Sequence, residues 1–373
     1  MHVGLGLQMA NLDRQVSDAD VYRLELGLAA EAERNGFDSV WVSEHHFSDY
    51  QLTSQQTMLL SWLAGQTERL RLGTFVTVLP WHDPARVAES FSVLDHLSGG
   101  RSILGLGRGL GRKEFDGFRV EMGESRPRFK EYSEAVLHAL ETGVLEYDGD
   151  HYCQPRVEIR PDPMGTFRGR TFASAVSPES MEIMARMGVG LLVIAQKPWK
   201  KTEAELGAYR ERYLELNGQE APKPILVIVA GVSKDPAQIT RLREQHLQRW
   251  ARSTVEHYEF DNVGFADIPG YEYYGALAEN IAKHGVDNFN GFLADLQVWG
   301  TPEEVTDKLL SYVERTDAGG LVCPLVFGGM PENEALDSHE LFVDEVLPEL
   351  RRHDVGGDIG VTYDTAVASS VVA

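Results

Sequence analysis

Arg71-Leu72-Gly73-Thr74-Phe75-Val76-Thr77-Val78, then Leu79-Pro80-Trp81-His82-Asp83-Pro84, a helical stretch from Ala85 to Leu97, and the run Ser102-Ile103-Leu104-Gly105-Leu106-Gly107 together decide the fold. A β-branched run, a helix of about four turns and a second apolar run make one βα unit of a parallel sheet. Asp83 is a capping side chain, and Pro84 suits the first helical turn because it has no N–H to leave unpaired. Working outward, the same rhythm recurs. The remaining strand candidates are His2–Gln8, Ser39–Ser43, Thr171–Ala175, Gly190–Ala195, Pro224–Val232 and Gly319–Phe327, which makes eight with Arg71–Val78 and Ser102–Gly107. Ser177-Pro178-Glu179 before Ser180–Met187 and Thr301-Pro302-Glu303-Glu304 before Val305–Arg315 repeat the cap-then-proline signature. Eight alternating units predict an α/β protein, a closed (β/α)8 TIM barrel.

Two segments break the rhythm. Val144–Arg170 and Thr254–Val298 are too long for simple loops and are expected as insertions that shape or cover a pocket. The chain of 373 residues is read as one barrel domain over 1–355, followed by a small, unpatterned and loosely ordered tail over 356–373. Hydrophobic residues make up 43% and charged residues 25%, enough for a sizeable core. No stretch approaches the roughly 18 apolar residues needed to cross a bilayer, and no signal peptide is apparent, so the cytoplasm is the expected compartment. Cys153 and Cys323 lie far apart with no nearby His or Cys at ligand spacing, which points to free thiols. The formal charge of −22 argues against nucleic acid and membrane partners. Any anionic ligand must then be met by locally placed arginines.

Alternation along Ser39–Ser43 turns Val40 and Val42 toward the helices and Trp41, Ser43 and His45 inward, toward the C-terminal mouth where barrel active sites form. An imidazole there can move a proton near neutral pH, although a lone histidine bonded to a carbonyl would serve structure equally well. Glu44, His45 and His46 in succession also suggest a metal. Successive strand side chains diverge, however, and no metal site is expected from this run; His82-Asp83 reads instead as a turn and helix cap. Gly105-Leu106-Gly107-Arg108-Gly109-Leu110-Gly111 has dinucleotide-like glycine spacing but follows the fourth strand, with its helix beginning only near Ser125, so it is not a Rossmann fingerprint. Its glycines would let the backbone approach a planar ligand while Arg108 meets a phosphate. Arg126 at the start of that helix, and Ser177 and Ser180 at the helix after strand 5, could complete an anion pocket. Taken singly, each is equally a solvated charge or a simple cap.

These residues resemble the luciferase-like flavin-dependent family, with little or no gap from Leu5 to Ala195 against the bacterial luciferase alpha subunit pattern. The resemblance rests on Ser43-Glu44-His45-His46-Phe47, Leu72-Gly73-Thr74 through Val78-Leu79-Pro80, Pro84 to Glu89, Gly99-Gly100-Arg101, Arg108-Gly109-Leu110 and Ser125-Arg126, with Trp299-Gly300-Thr301-Pro302-Glu303-Glu304-Val305 near the end. Gln196–Val298 is only loosely covered. The resemblance implies an FMN phosphate held by Arg108, Arg126, Ser177 and Ser180, a non-prolyl cis peptide at Phe75-Val76 against the flavin, Glu44, Gly107 and Val176 also at the cofactor, and His45 as the catalytic histidine. The chain departs from that pattern: Gly107 stands where luciferase has a reactive cysteine, Gly111 where it has a tyrosine, Val176 where it has a flavin-contacting glutamate and Ala195 where it has a tryptophan. Oxygenation without light is therefore expected, in a roomier pocket.

The implied activity is a two-component monooxygenase. Reduced FMN from a separate NAD(P)H:flavin reductase reacts with O2 through a C4a-peroxyflavin and oxygenates a small, largely apolar molecule by Baeyer–Villiger insertion, epoxidation or hydroxylation. A homodimer is implied as well. Tyr258, Phe260, Phe265, Tyr271, Tyr273 and Tyr274 in the second insertion suit either an apolar lid or ordinary packing. Two rival readings keep the barrel: an F420-dependent oxidoreductase, and a non-catalytic flavin-binding subunit. A metal-dependent hydrolase is the more distant alternative.

Overall fold

The computed structural model describes residues 1–176, 178–356 and 359. Its strands are β1 (His2–Leu7), β2 (Ser39–Val42), β3 (Arg71–Thr74), β4 (Thr77–Val78), β5 (Ser102–Gly107), β6 (Val144–Asp148), β7 (Cys153–Glu158), β8 (Thr171–Ser174), β9 (Gly190–Ile194), β10 (Ile225–Val227), β11 (Ala230–Val232), β12 (Val298–Gly300) and β13 (Gly320–Pro324). Eight of them, β1, β2, β3, β5, β8, β9, β10 and β13, pair in parallel in that order, and β13 returns to β1. The sheet closes into the (β/α)8 barrel expected from the βα rhythm.

Alternation along β2 works as read. Val40 and Val42 join the core between barrel and helices, while Trp41 lies inside with Ile103, Phe172, Leu192, Ile225 and Val322. The indole needs room from both neighbouring strands. A Cβ at Gly4 would stand 2.8 Å from the ring, and one at Gly73 would stand 2.4 Å from it. The indole N–H donates to Ser39 Oγ at 2.7 Å, so the polar atom of this inner plug is satisfied.

Strand 3 is interrupted at the mouth. Gly73 pairs with Ile103 and Thr77 with Leu106, so β3 and β4 span one residue more than β5 does over the same interval. An extra residue of this kind locally redirects a strand. The Phe75–Val76 peptide in this interval is cis. The Thr74 hydroxyl donates to the Gly105 carbonyl and accepts its N–H, and a Cβ at position 105 would fall 1.7 Å from Thr74 O. At position 107 a Cβ would fall 2.1 Å from Val76 Cγ2. The space on the Cβ side of these two glycines is thus taken by the protein's own interrupted strand.

Asp83 accepts the N–H groups of Ala85 and Arg86 at the start of Pro84–Ser98, and Thr301 and Glu304 form a reciprocal capping box before Pro302–Thr316. Other expectations need correction. Strand 7 divides: β10 stays in the barrel while β11 leaves it to pair with β12. A helix over Arg112–Phe118 precedes the expected one at Ser125–Thr142. The first insertion is an antiparallel β6–β7 hairpin that follows the latter helix and precedes β8. It therefore sits at the N-terminal end of the barrel, where Arg170 clasps the buried Asp95 carboxylate, and none of its residues lines the mouth cleft. The second insertion, in a βα connection, does reach the mouth. Of the expected tail, Ile359 is fully buried in the inner barrel cluster; the rest beyond Gly356 lies outside the described residues.

Candidate active site

A cleft of about 1050 Å³, measured to its open edge, occupies the C-terminal mouth. Phe75, Val76 and Val78 supply one wall, Gly107 to Leu110 the next, Val176, Ile183 and Ile194 the third, and Tyr258, Gly270, Tyr273 and Tyr274 of the second insertion the roof. It is apolar over much of its lining and carries a few convergent polar groups, as ligand sites do.

His45 stands where the strand-2 alternation placed it. Its Nδ1 lies 3.0 Å from Glu114 Oε1, and its Nε2 receives the Tyr258 hydroxyl at 3.3 Å. Glu114 comes from the first turn of the helix at Arg112 and is fully buried. Burial alone would raise its carboxyl; the imidazoles of His257 and His45 outweigh that and hold it down to about 2. His257, in the last turn of the helix Gln248–Tyr258, places Nε2 3.5 Å from Glu114 Oε1. Burial pushes His257 below the ordinary histidine value despite that carboxylate. Its ring stacks on Tyr50 at 4.2 Å and meets His45 edge-on at 4.8 Å.

Glu44 also lines the cleft, but its carboxylate engages other partners than those of His45, as divergence along a strand requires. One oxygen accepts from His46 at 3.0 Å and from His82, and the other takes the Val78 N–H at 2.7 Å. Burial acts to raise Glu44, but His82, His46 and that N–H hold it below the usual carboxylate range. The Glu44 carboxylate in turn raises His82 against the effect of burial. Glu44 therefore pins strand 3 just beyond its interruption. His82, read as part of a turn, is its ion-pair partner, while Asp83 is the cap.

Arg108 Nη1 and Arg126 Nη2 both donate to the Gly270 carbonyl, at 2.7 and 3.1 Å. Arg108 also lies 4.1 Å over the Tyr271 ring, and Arg126 pairs with Glu179. The structure thus brings together the two arginines picked from sequence, with Ser180 on the same wall. Val176 lines this wall, its carbonyl held by Lys197 Nζ, which also pairs with Glu205. Ser177 lies outside the described residues. Of the six aromatics, Phe260, Phe265 and Tyr271 are buried packing, whereas Tyr258, Tyr273 and Tyr274 face the cleft.

Sequence reasoning missed Glu114, His257, Tyr258 as a partner of His45, and Gly270. Glu114 opens a seven-residue helix whose N-cap, Gly111, makes no side-chain cap bond, so no capping signature announced it. His257 and Gly270 lie more than 200 residues beyond His45 in the segment where the family pattern is least distinct, and only the fold joins them to it.

The family model for luciferase-like monooxygenases matches residues 1–318. Among curated relatives, the alkanal monooxygenase alpha chain of Aliivibrio fischeri is 27% identical over 323 residues, covering 85% of this chain and 90% of that protein. Among solved structures, the oxygenating constituent of 3,6-diketocamphane monooxygenase from Pseudomonas putida, a type II Baeyer–Villiger enzyme in complex with FMN, superposes with a TM-score of 0.70 at 18% identity, covering 94% of this chain and 98% of that one. An F420-dependent secondary alcohol dehydrogenase superposes with a TM-score of 0.67 at 17% identity, covering 94% and 99%.

Proposed function

The chain belongs to the luciferase-like monooxygenase family, and from that premise we propose that it is the oxygenating component of a two-component system. It would take reduced FMN from a separate NAD(P)H:flavin reductase and use O2 on a small, largely apolar organic molecule. One oxygen atom enters the substrate and the other leaves as water, with both electrons coming from the reduced flavin. The observation that carries this reading is the placement of a carboxylate-held His45 across one cleft from the convergent pair Arg108 and Arg126.

The residues fit the cofactor. Two guanidiniums already share one oxygen acceptor, and the buried Arg126 Nε has no hydrogen-bond partner, a donor set suited to a phosphate. Ser180 and, by the family pattern, Ser177 would add hydroxyls. Phe75, Val76, Leu110 and Ile194 offer apolar surface for a planar ring. When bound, reduced flavin supplies the activation of O2. The protein's part is placement, exclusion of water by the tyrosine roof, and proton movement at His45 Nε2, the ring nitrogen turned away from Glu114.

The homodimer expected from the family would use two adjacent helices. Gln56–Ala64 and Pro84–Ser98 pack against each other and expose Met58 at 68%, Trp62, Val93 and Leu97 at 58%. Four apolar side chains exposed on neighbouring helices fit a self-complementary two-fold interface. Among the described residues no helix is long and apolar enough to cross a membrane; a cytoplasmic location is part of this reading.

The deciding experiment supplies reduced FMN and O2 with terpenoid, ketone, aromatic and aldehyde substrates and compares oxygenated product with free peroxide. Hydride transfer from reduced F420 without oxygen uptake would instead establish the F420 reading, which the similar alcohol dehydrogenase barrel favours.

A further inference from the structure

The metal reading of Glu44-His45-His46 fails because Glu44 serves Val78 and His82, yet the fold assembles a different trio around His45. We propose that His45, Glu114 and His257 form a binding site for a divalent ion of the zinc class, whose occupation replaces the direct contact between His45 Nδ1 and Glu114.

Three observations converge. First, one ligating atom from each residue lies within 4.8 Å of the others. The His45 to Glu114 and His257 to Glu114 separations are 3.0 and 3.5 Å. Ligand atoms held tetrahedrally about 2.1 Å from one zinc ion are about 3.4 Å apart, so the widest pair here, up to 4.8 Å apart, closes onto an ion by rotation of an imidazole. Second, Glu114 Oε2 and His257 Nε2 are buried without a hydrogen-bond partner. Buried polar atoms of this kind call for an occupant, because an unmet carboxylate oxygen costs the protein its lost hydration. Third, position 111 carries no Cβ where these atoms face. A Cβ there would stand 2.2 Å from Glu114 Oε2 and 3.3 Å from His257 Nε2.

Two imidazoles and a carboxylate are a borderline donor set that suits zinc and its neighbours better than magnesium or calcium. The three side chains come from three elements: the β2 mouth, the first turn of Arg112–Phe118 and the last turn of Gln248–Tyr258. The site is therefore formed only in the folded chain. It opens on both sides, since His45 and Glu114 line the mouth cleft while His257 lines an outer hollow with Ser48 and Tyr50. A bound ion would take the His45 nitrogen now turned to Glu114.

The test needs neither flavin nor substrate, so its outcome is separate from that of the oxygenase reading. The full chain, stripped with a chelator, is titrated with zinc chloride by calorimetry. One tight equivalent is expected. His257→Ala should weaken it by roughly tenfold or more, and Gly111→Ala, which keeps all three ligands and fills the space between them, should weaken it too. Cobalt(II) should give visible absorption bands with the native chain that His257→Ala lacks. The native-chain bands and the Gly111→Ala titration keep the test open if His257→Ala fails to fold. Equal zinc affinity and stoichiometry in native, His257→Ala and Gly111→Ala chains would overturn the site in favour of surface histidines, as would the absence of cobalt bands in the native chain.

Discussion

His45 Nδ1 lies 3.0 Å from Glu114 Oε1, and the same oxygen accepts the backbone N–H of His46 at 2.9 Å. One carboxylate thus fixes both the ring and the backbone that carries it. Because Glu114 is held ionised down to about 2, it accepts a hydrogen bond from the Nδ1–H and leaves Nε2 as the working nitrogen, already receiving the Tyr258 hydroxyl.

Glu114→Gln should therefore lower turnover by about a hundredfold, and His45→Ala by a similar or larger factor, within the range of general acid–base contributions. Affinity for reduced FMN should hold in both, since neither residue touches the arginine pair. Stopped-flow rates beside a direct flavin titration check this. A coupled rate that survives in His45→Ala removes His45 from catalysis.

Arg108→Ala and Arg126→Ala should each weaken reduced FMN by about ten- to a hundredfold, the worth of one or two charge-assisted hydrogen bonds. Riboflavin, which lacks the phosphate, should bind the native and substituted chains alike. Anaerobic titration of both flavins gives the comparison, and equal FMN affinity would remove the phosphate assignment.

The exposed patch predicts an oligomeric consequence. Trp62→Glu combined with Leu97→Asp should convert a particle of twice the chain mass into single chains, read by light scattering on a sizing column. A native chain that is already monomeric at micromolar concentration contradicts the interface.

Glu25 offers a pH-dependent signature away from the cleft. It is 2% exposed, and burial drives its carboxyl up to about 8 even though it accepts the Gln8 N–H at 3.0 Å. The folded state thus holds a proton that the unfolded chain releases near the ordinary value of about 4.3. Stability from this group is complete below that value and is lost as pH rises toward 8. Glu25→Gln, which keeps an acceptor for Gln8, should gain a few kcal/mol over native at pH 8 and above and show a flatter profile, measured by urea unfolding across pH 5 to 9. Parallel profiles would contradict it.

The barrel was legible because its evidence is local. Strand alternation, a capping Asp83 before Pro84 and the Thr301 box are written in a few consecutive residues. His45 was legible for the same reason, since strand 2 sets its direction. Its partners were not, because Glu114 and His257 reach it through tertiary closure with no spacing rule to connect them. Position in the chain also misled: both insertions break the rhythm, yet the first joins a helix to the next barrel strand whereas the second lies between a barrel strand and its helix, and only the second reaches the mouth. The glycine run carries a structural demand that the sequence does not display, because Gly105 and Gly107 yield to Thr74 and Val76.

The carbonyl of Gly270, gripped by both arginines, belongs to the same stretch of backbone that carries Tyr273 and Tyr274 over the cleft. A phosphate that displaced that carbonyl at the guanidiniums would release backbone three residues from Tyr273. Linkage makes such an exchange symmetric: if cofactor strengthens the hold on substrate by some factor, substrate strengthens the hold on cofactor by the same factor. The two affinities are then joined through a single coupling free energy.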